Sequence, residues 1–195
     1  MIENRKVTIM HPLMQQLYED HHHMQRLLYC LQKEVSYFEA GKAAEAELSL
    51  ILDAMDYFQL YPEKWHHPVE DVIFEILLTK NISESAMIQE IVDEHLRLEK
   101  MTQREKALFN AISHGSQVPT AELIDVHREF VAAQAGHIER ENHQIYPLIR
   151  KYMTDADWQV VETRMATPAD PLFGDNIRED YQALYQRIVD SEHET

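Results

Sequence analysis

The sequence predicts an all-α protein: an up-down-up-down four-helix bundle with a C-terminal helical extension. Three observations predict it. Only four glycines and seven prolines interrupt 195 residues, while Leu, Met, Glu, Gln and Ala are abundant, a composition suited to helices with few turns. Apolar residues recur at spacings of three and four through four long segments. The links between those segments are short, which places consecutive helices antiparallel around one core. The chain is long enough for one full core, and nothing demands two large domains. The bundle is expected over residues 1–153 and the extension, packed on the bundle or on a partner subunit, over 154–195.

The first helix is expected at about 11–40. Pro12 suits its first turn, Gly41 its stop, and Leu13, Leu17, His21, Met24, Leu28, Leu31, Val35 and Phe38 form its apolar stripe, interrupted only by His21. His22 and His23 lie about 100° and 200° away around the helix, and are expected in solvent or behind the stripe. The second helix should begin near Ala43 and run through Phe58 until Pro62 kinks or stops it. Pro68 then fits the first turn of a new helical segment, so that the spacing from His66 to Glu70 falls across a distorted junction. Asn81 and Glu84 match a capping box ahead of the third helix. Its stripe is Ile88, Ile91, His95, Leu98, Met101, Leu108 and Ile112, with Glu105 as a gap. The turn from Gly115 to Pro119 leads to the fourth helix, from Thr120 to about Met153, with Leu123, Phe130, Gln134, His137, Glu141, Ile145 and Leu148 facing inward. Thr154 to Asp157 reads as the capping box of a short helix through Met165. A link from Thr167 to Gly174 precedes a last amphipathic segment bearing Ile177, Tyr181, Leu184, Tyr185 and Ile188.

Chemistry concentrates in two short stretches. His66 and Glu70, and again His137 and Glu141, are four residues apart, so each pair presents an imidazole and a carboxylate on one helical face. Ile73, Phe74 and Leu77 continue the first of those faces as a core stripe, which puts the polar pair inside, where it needs a partner. A single histidine on an apolar stripe is more often a hydrogen-bonded core residue than a ligand. Here each of the four helices carries one, at His21, His66, His95 and His137, and two have a glutamate one turn later. Four imidazoles and two carboxylates in one bundle match what a transition metal requires, against the competing reading of a purely structural polar network.

Composition removes several classes of function. The net charge is −16 with histidines neutral and the cations are scattered singly, which excludes a phosphate-backbone partner; no nucleic-acid binding is expected. Cys30, the only cysteine, rules out an intrachain disulfide and a thiolate metal cage and is read as helix filler. No apolar run of signal-peptide type or membrane-spanning length occurs, so the expected location is the cytoplasm, without a membrane partner. No Gly-x-Ser-x-Gly nucleophile motif is present.

The order of histidines, with His66-His67-Pro68-Val69-Glu70-Asp71 and His137-Ile138-Glu139-Arg140-Glu141 leading to Tyr146-Pro147, resembles the hemerythrin-like, or HHE cation-binding, family over about residues 10–153. The resemblance implies a four-helix bundle around a non-haem di-iron centre. Its ligands would be His21, His66, Glu70, His95, His137 and Glu141, with the two glutamates bridging. His67 is either a further ligand, as in relatives that place one directly after the first histidine of this motif, or an outer or surface histidine. Tyr18 stands one turn before His21, where certain members have another histidine; its phenol either hydrogen-bonds near the metals or packs, and packing is favoured. Asp20, Asp71, Asp93 and Glu94 are candidates to orient ligand imidazoles.

The function implied is a di-iron protein that binds, senses or detoxifies dioxygen, peroxide or nitric oxide, in an apolar surround read from Leu17, Met24, Phe74 and Leu98. A second reading is an iron-responsive scaffold whose metal occupancy controls assembly, a homo-oligomer included, or a partner surface. A third, an oxidase-like or repair enzyme, fits the ligands but lacks a visible general acid, substrate pocket or cysteine pair.

Overall fold

A computed structural model describes residues 10–166 and 168–193. The leader before Met10, Thr167 at the start of the expected link, and the last two residues lie outside the described residues. Every regular element among those described is helical. The long helix α1 spans Pro12–Glu39, and the whole stripe expected for it is buried. Gly41 follows at φ 72°, the left-handed conformation that ends a helix at little cost to glycine.

The second helix starts later than expected. Ala43–Glu45 forms only a single 3-10 turn, and α2 spans Leu48–Leu60. The carboxylate of Glu34, buried on α1, accepts from the backbone N–H of Glu47 at 2.9 Å and pins that entry. At Pro62–His66 the backbone widens into a π turn, with the N–H of His66 donating to the carbonyl of Tyr61 at 3.2 Å and that of His67 to Pro62. Helix α3, His67–Thr79, continues from it with Pro68 in its first turn. The distorted junction expected at the His66 to Glu70 spacing is therefore present, as a π turn that ends at His66, and it has a cause. Pro68 offers no N–H and its ring crowds the carbonyl four residues back, and the extra residue of a π turn relieves the crowding.

The capping box expected at Asn81 to Glu84 does not form. Asn81 takes φ 51°, a left-handed conformation that asparagine tolerates, and so closes α3 instead of opening the next helix. Helix α4 spans Ser85–Ser113 with no side-chain cap. Helix α5, Thr120–Arg140, passes through a second π turn at Glu141–Ile145 into α6, Tyr146–Tyr152, with Pro147 in its first turn. The fourth expected helix is thus two helices in one continuous path, and its seven inward residues are all buried.

Helix α1 packs against α2 and α5, and α4 packs against α2, α3 and α5. The capping box at Thr154 is present: Asp157 N–H donates to the Thr154 hydroxyl and the backbone N–H of Thr154 to the Asp157 carboxylate, starting α7 over Asp155–Arg164. After a 3-10 turn at Glu179–Tyr181, α8, Gln182–His193, buries Leu184 and Ile188 and packs on α1 and α2 of the same chain. None of the described helices is long and apolar enough to cross a membrane.

Candidate metal centre

The seven histidines and glutamates singled out in the sequence come together, and all are buried. They form two groups whose donor atoms lie within 4.8 Å of one another: His21, His66, Glu70 and Glu141, and His67, Glu70, His95 and His137. Glu70 belongs to both groups. Glu141 also faces both, with Oε2 at 3.1 Å from His21 Nε2 and 3.2 Å from His137 Nε2, and Oε1 at 3.4 Å from His95 Nε2. His67 falls inside, its ring stacked on that of His95 at 4.2 Å.

Each of the four stripe histidines is locked by its outer nitrogen. The Nδ1 of His66 donates to Asp20 Oδ2 at 2.9 Å, and that of His137 to Glu94 Oε2 at 3.1 Å. His95 donates to Asp71 Oδ1 at 2.8 Å and His21 to Asn142 Oδ1 at 2.9 Å. A carboxylate can only accept, so His66, His95 and His137 carry a proton on Nδ1 and turn Nε2 inward, and the Asn142 amide oxygen orients His21 in the same sense, the arrangement that outer neighbours impose on metal-binding imidazoles. Of the four acids expected to play this part, Asp20, Asp71 and Glu94 do. Asp93 instead is exposed and accepts from Gln89 on its own helix. Asn142 takes the fourth place, which the sequence reading missed because an amide beside a glutamate carries no distinctive signal.

The hemerythrin HHE cation-binding domain profile matches residues 13–149. The chain belongs to this family. No curated protein and no solved structure matches it.

The hemerythrin-type donor set makes physical sense only with positive charge at its centre. His66 Nε2, His137 Nε2, Glu70 Oε2 and Glu141 Oε2 are buried without a hydrogen-bond partner, and with Nδ1 protonated their closest approaches are acceptor to acceptor. Buried polar atoms are otherwise almost always paired. Without a cation the cluster draws protons. Burial, together with neighbouring Glu141, pushes the Glu70 carboxyl well above its usual range. Burial opposes charge on His95, yet its hydrogen bonds to Asp71 and Glu141 outweigh that and raise it to about 10. Burial also raises Glu141, but His137 and the hydrogen bonds of His21 and His95 hold it well below the ordinary value. Burial lowers His66 and His67, keeping both in the neutral form that binds metal. Hence the residues present fit a cation, in a surround where Leu17, Met24, Phe74 and Leu98 are buried.

Three further features escaped the sequence reading. Tyr146, fully buried, donates to Glu70 Oε1 at 2.6 Å and lies with its ring parallel to His21; in sequence it entered only as part of the run Tyr146-Pro147 after the second histidine–glutamate pair. Tyr18 meets Tyr146 edge-on, which is the packing role. Glu105, expected as a gap in the α4 stripe, is fully buried and accepts from His127 Nδ1 at 2.7 Å; its partner lies on α5, out of reach of any local pattern. Finally, Asp20, His23 and Asp170 cluster beside α1. Both carboxylates there already accept from protein donors, Asp20 from Tyr61 and Gln16, and Asp170 from Tyr57 and the N–H groups of Leu172 and Phe173.

Proposed function

We propose that this chain is a di-iron protein of up-down-up-down bundle topology that binds, senses or detoxifies a small oxidant, dioxygen or peroxide, or nitric oxide. Its ligands would be His21, His66, His67, Glu70, His95, His137 and Glu141, with both glutamates shared between two ions. The observation that carries the reading is the convergence of inward-facing Nε2 atoms on two buried carboxylates, with His66 Nε2, His137 Nε2, Glu70 Oε2 and Glu141 Oε2 left without a hydrogen-bond partner. Imidazole and carboxylate donors suit iron, which would supply ferrous and ferric states and an open coordination position for a small ligand.

The protein's own residues do the rest. Asp20, Asp71, Glu94 and Asn142 hold the imidazoles in one tautomer and one orientation. Buried Leu17, Met24, Phe74 and Leu98 keep bulk water and its protons away. A surface hollow of about 280 Å³, lined in part by Leu98, Met101, Ala133 and His137, lies on the His137 side of the cluster. The scaffold reading gains nothing from the extension, because α8 buries its apolar residues against its own bundle. Action in the cytoplasm belongs to the same proposal.

Metal analysis and visible spectra of aerobically purified protein test it, followed by addition of dioxygen, peroxide and nitric oxide to the reduced form. Bound iron with a spectral response to one of them is expected. Absence of metal from the wild type, or retention of full metal by the His66→Ala, His137→Ala double variant, rejects it.

A further inference from the structure

The two groups of donors are unequal by count of histidines: three on the His95 side, at His67, His95 and His137, and two on the His21 side, at His21 and His66. Tyr146 stands where the fifth donor of the His21 side would be. Its Oη lies 3.2 Å from His21 Nε2 and 2.6 Å from Glu70 Oε1, the separation of two neighbouring atoms sharing one ion. Its ring lies parallel to that of His21, 4° off at 5.0 Å, as the His67 ring lies parallel to that of His95, 9° off at 4.2 Å. Tyr146 therefore matches His67 in position as well as in number.

The phenol's one proton goes to Glu70 Oε1, and Oη also lies within hydrogen-bond reach of His21 Nε2. The phenol oxygen thus touches a nitrogen and a carboxylate oxygen of one and the same donor group, in a fully buried place.

The geometry points to Tyr146 as a metal ligand: a phenolate that completes the His21 side as His67 completes the His95 side, giving each ion one lone histidine, one motif histidine, the two shared glutamates and one stacked ring. On loading, the phenolic proton passes by way of Glu70 to solvent, and the cation takes the place that the proton held, since a bound ion is the largest local charge and reverses the preference of a buried phenol for its neutral form. Phenolate oxygen is a hard donor, so the side that carries it favours ferric over ferrous iron relative to the all-imidazole side.

This assignment rests on the di-iron reading, and the test separates the two. The full-length protein is reconstituted with iron, oxidised, and examined by iron analysis, visible absorption and resonance Raman scattering. The expected result is a phenolate-to-iron charge-transfer band in the visible, with tyrosinate ring modes enhanced on excitation within it. Tyr146→Phe should lose band and modes per iron bound, while Tyr18→Phe, which alters only the edge-on neighbour, should keep them. Iron without tyrosinate modes in the wild type overturns the assignment and leaves the di-iron centre standing, as does a band that persists in Tyr146→Phe. A wild type that takes up no iron overturns both. Should Tyr146→Phe fail to fold, the wild-type Raman spectrum together with Tyr18→Phe still decides, because loss of the modes in Tyr18→Phe contradicts the assignment.

Discussion

On the His21 side of the centre the lone histidine gives its outer proton to an amide, Asn142; on the His95 side the corresponding proton goes to a carboxylate, Asp71. The two sides are otherwise built crosswise by one pattern. The residue before each lone histidine, Asp20 or Glu94, accepts from a motif histidine, His66 or His137. The residue after each shared glutamate, Asp71 or Asn142, accepts from a lone histidine of another helix. Each helix thus supplies both an inward donor and a lock for a neighbour's donor, and orientation is common to both sides. Charge is not. Asp71 sets a full negative charge beside the His95 imidazole, whereas the Asn142 amide sets none beside that of His21. On the motif histidines the balance runs the other way: Asp20 is fully buried, whereas Glu94 also takes a hydrogen bond from Arg140 that draws off part of its charge.

The largest break in this comparison should come from the residues the two sides share. Glu70→Ala or Glu141→Ala is expected to lower the affinity for both ions by more than the roughly 10–100-fold that an outer neighbour is worth, read as iron per chain after dialysis. Loss of only one ion from either variant would mean that the carboxylate serves one side alone.

Removing the metal should cost stability next. Ions that bind only the folded chain contribute about 2.7 kcal/mol per site when free metal is at 100 times its dissociation constant. Chelation is therefore expected to lower the unfolding midpoint, and His21→Ala, which strips one side, to retain part of that difference. A midpoint unmoved by chelation would count against metal as a structural partner of the buried acids.

His67→Ala acts on one side only. It should weaken the His95 site by more than the roughly 10–100-fold of an outer neighbour, and bring iron toward one per chain while the His21 side keeps its ion. Equal weakening of both sites in a metal titration would deny His67 its place on the His95 side.

How far the sequence could be read follows from what leaves a local pattern. The stripes of α1, α4 and α5 and the two histidine–glutamate pairs rest on the helical period, which spacing reveals directly, and every ligand proposed from it is buried at one place. The first π turn was legible only as a distortion at Pro62 and Pro68, and the second, ahead of Pro147, was not anticipated, because a shift of one residue in hydrogen bonding leaves no composition of its own. Asn81 was misplaced because asparagine favours both a helix start and a left-handed stop, and only φ separates them. Glu105 and Asn142 needed partners on other helices, His127 and His21, before either could be told from a surface polar residue.

The smallest effect and the finest test is an exchange of the outer acceptors. Asn142→Asp gives the His21 side the carboxylate it lacks, and Asp71→Asn removes it from the His95 side. Both substitutions keep the size of the side chain and an oxygen to accept the Nδ1 proton, so orientation is preserved and charge alone changes. A more basic imidazole binds a cation more tightly, and Asn142→Asp should strengthen the His21 site by about tenfold, the low end of what outer neighbours contribute. Asp71→Asn should weaken the His95 site by less than that factor, because the Asp71 side chain is 45% open and solvent screens its charge. Stepwise metal titration of both variants checks this. An equal effect on both sites in either variant would show that the acceptors set the field of the whole centre and not of the imidazole each one holds.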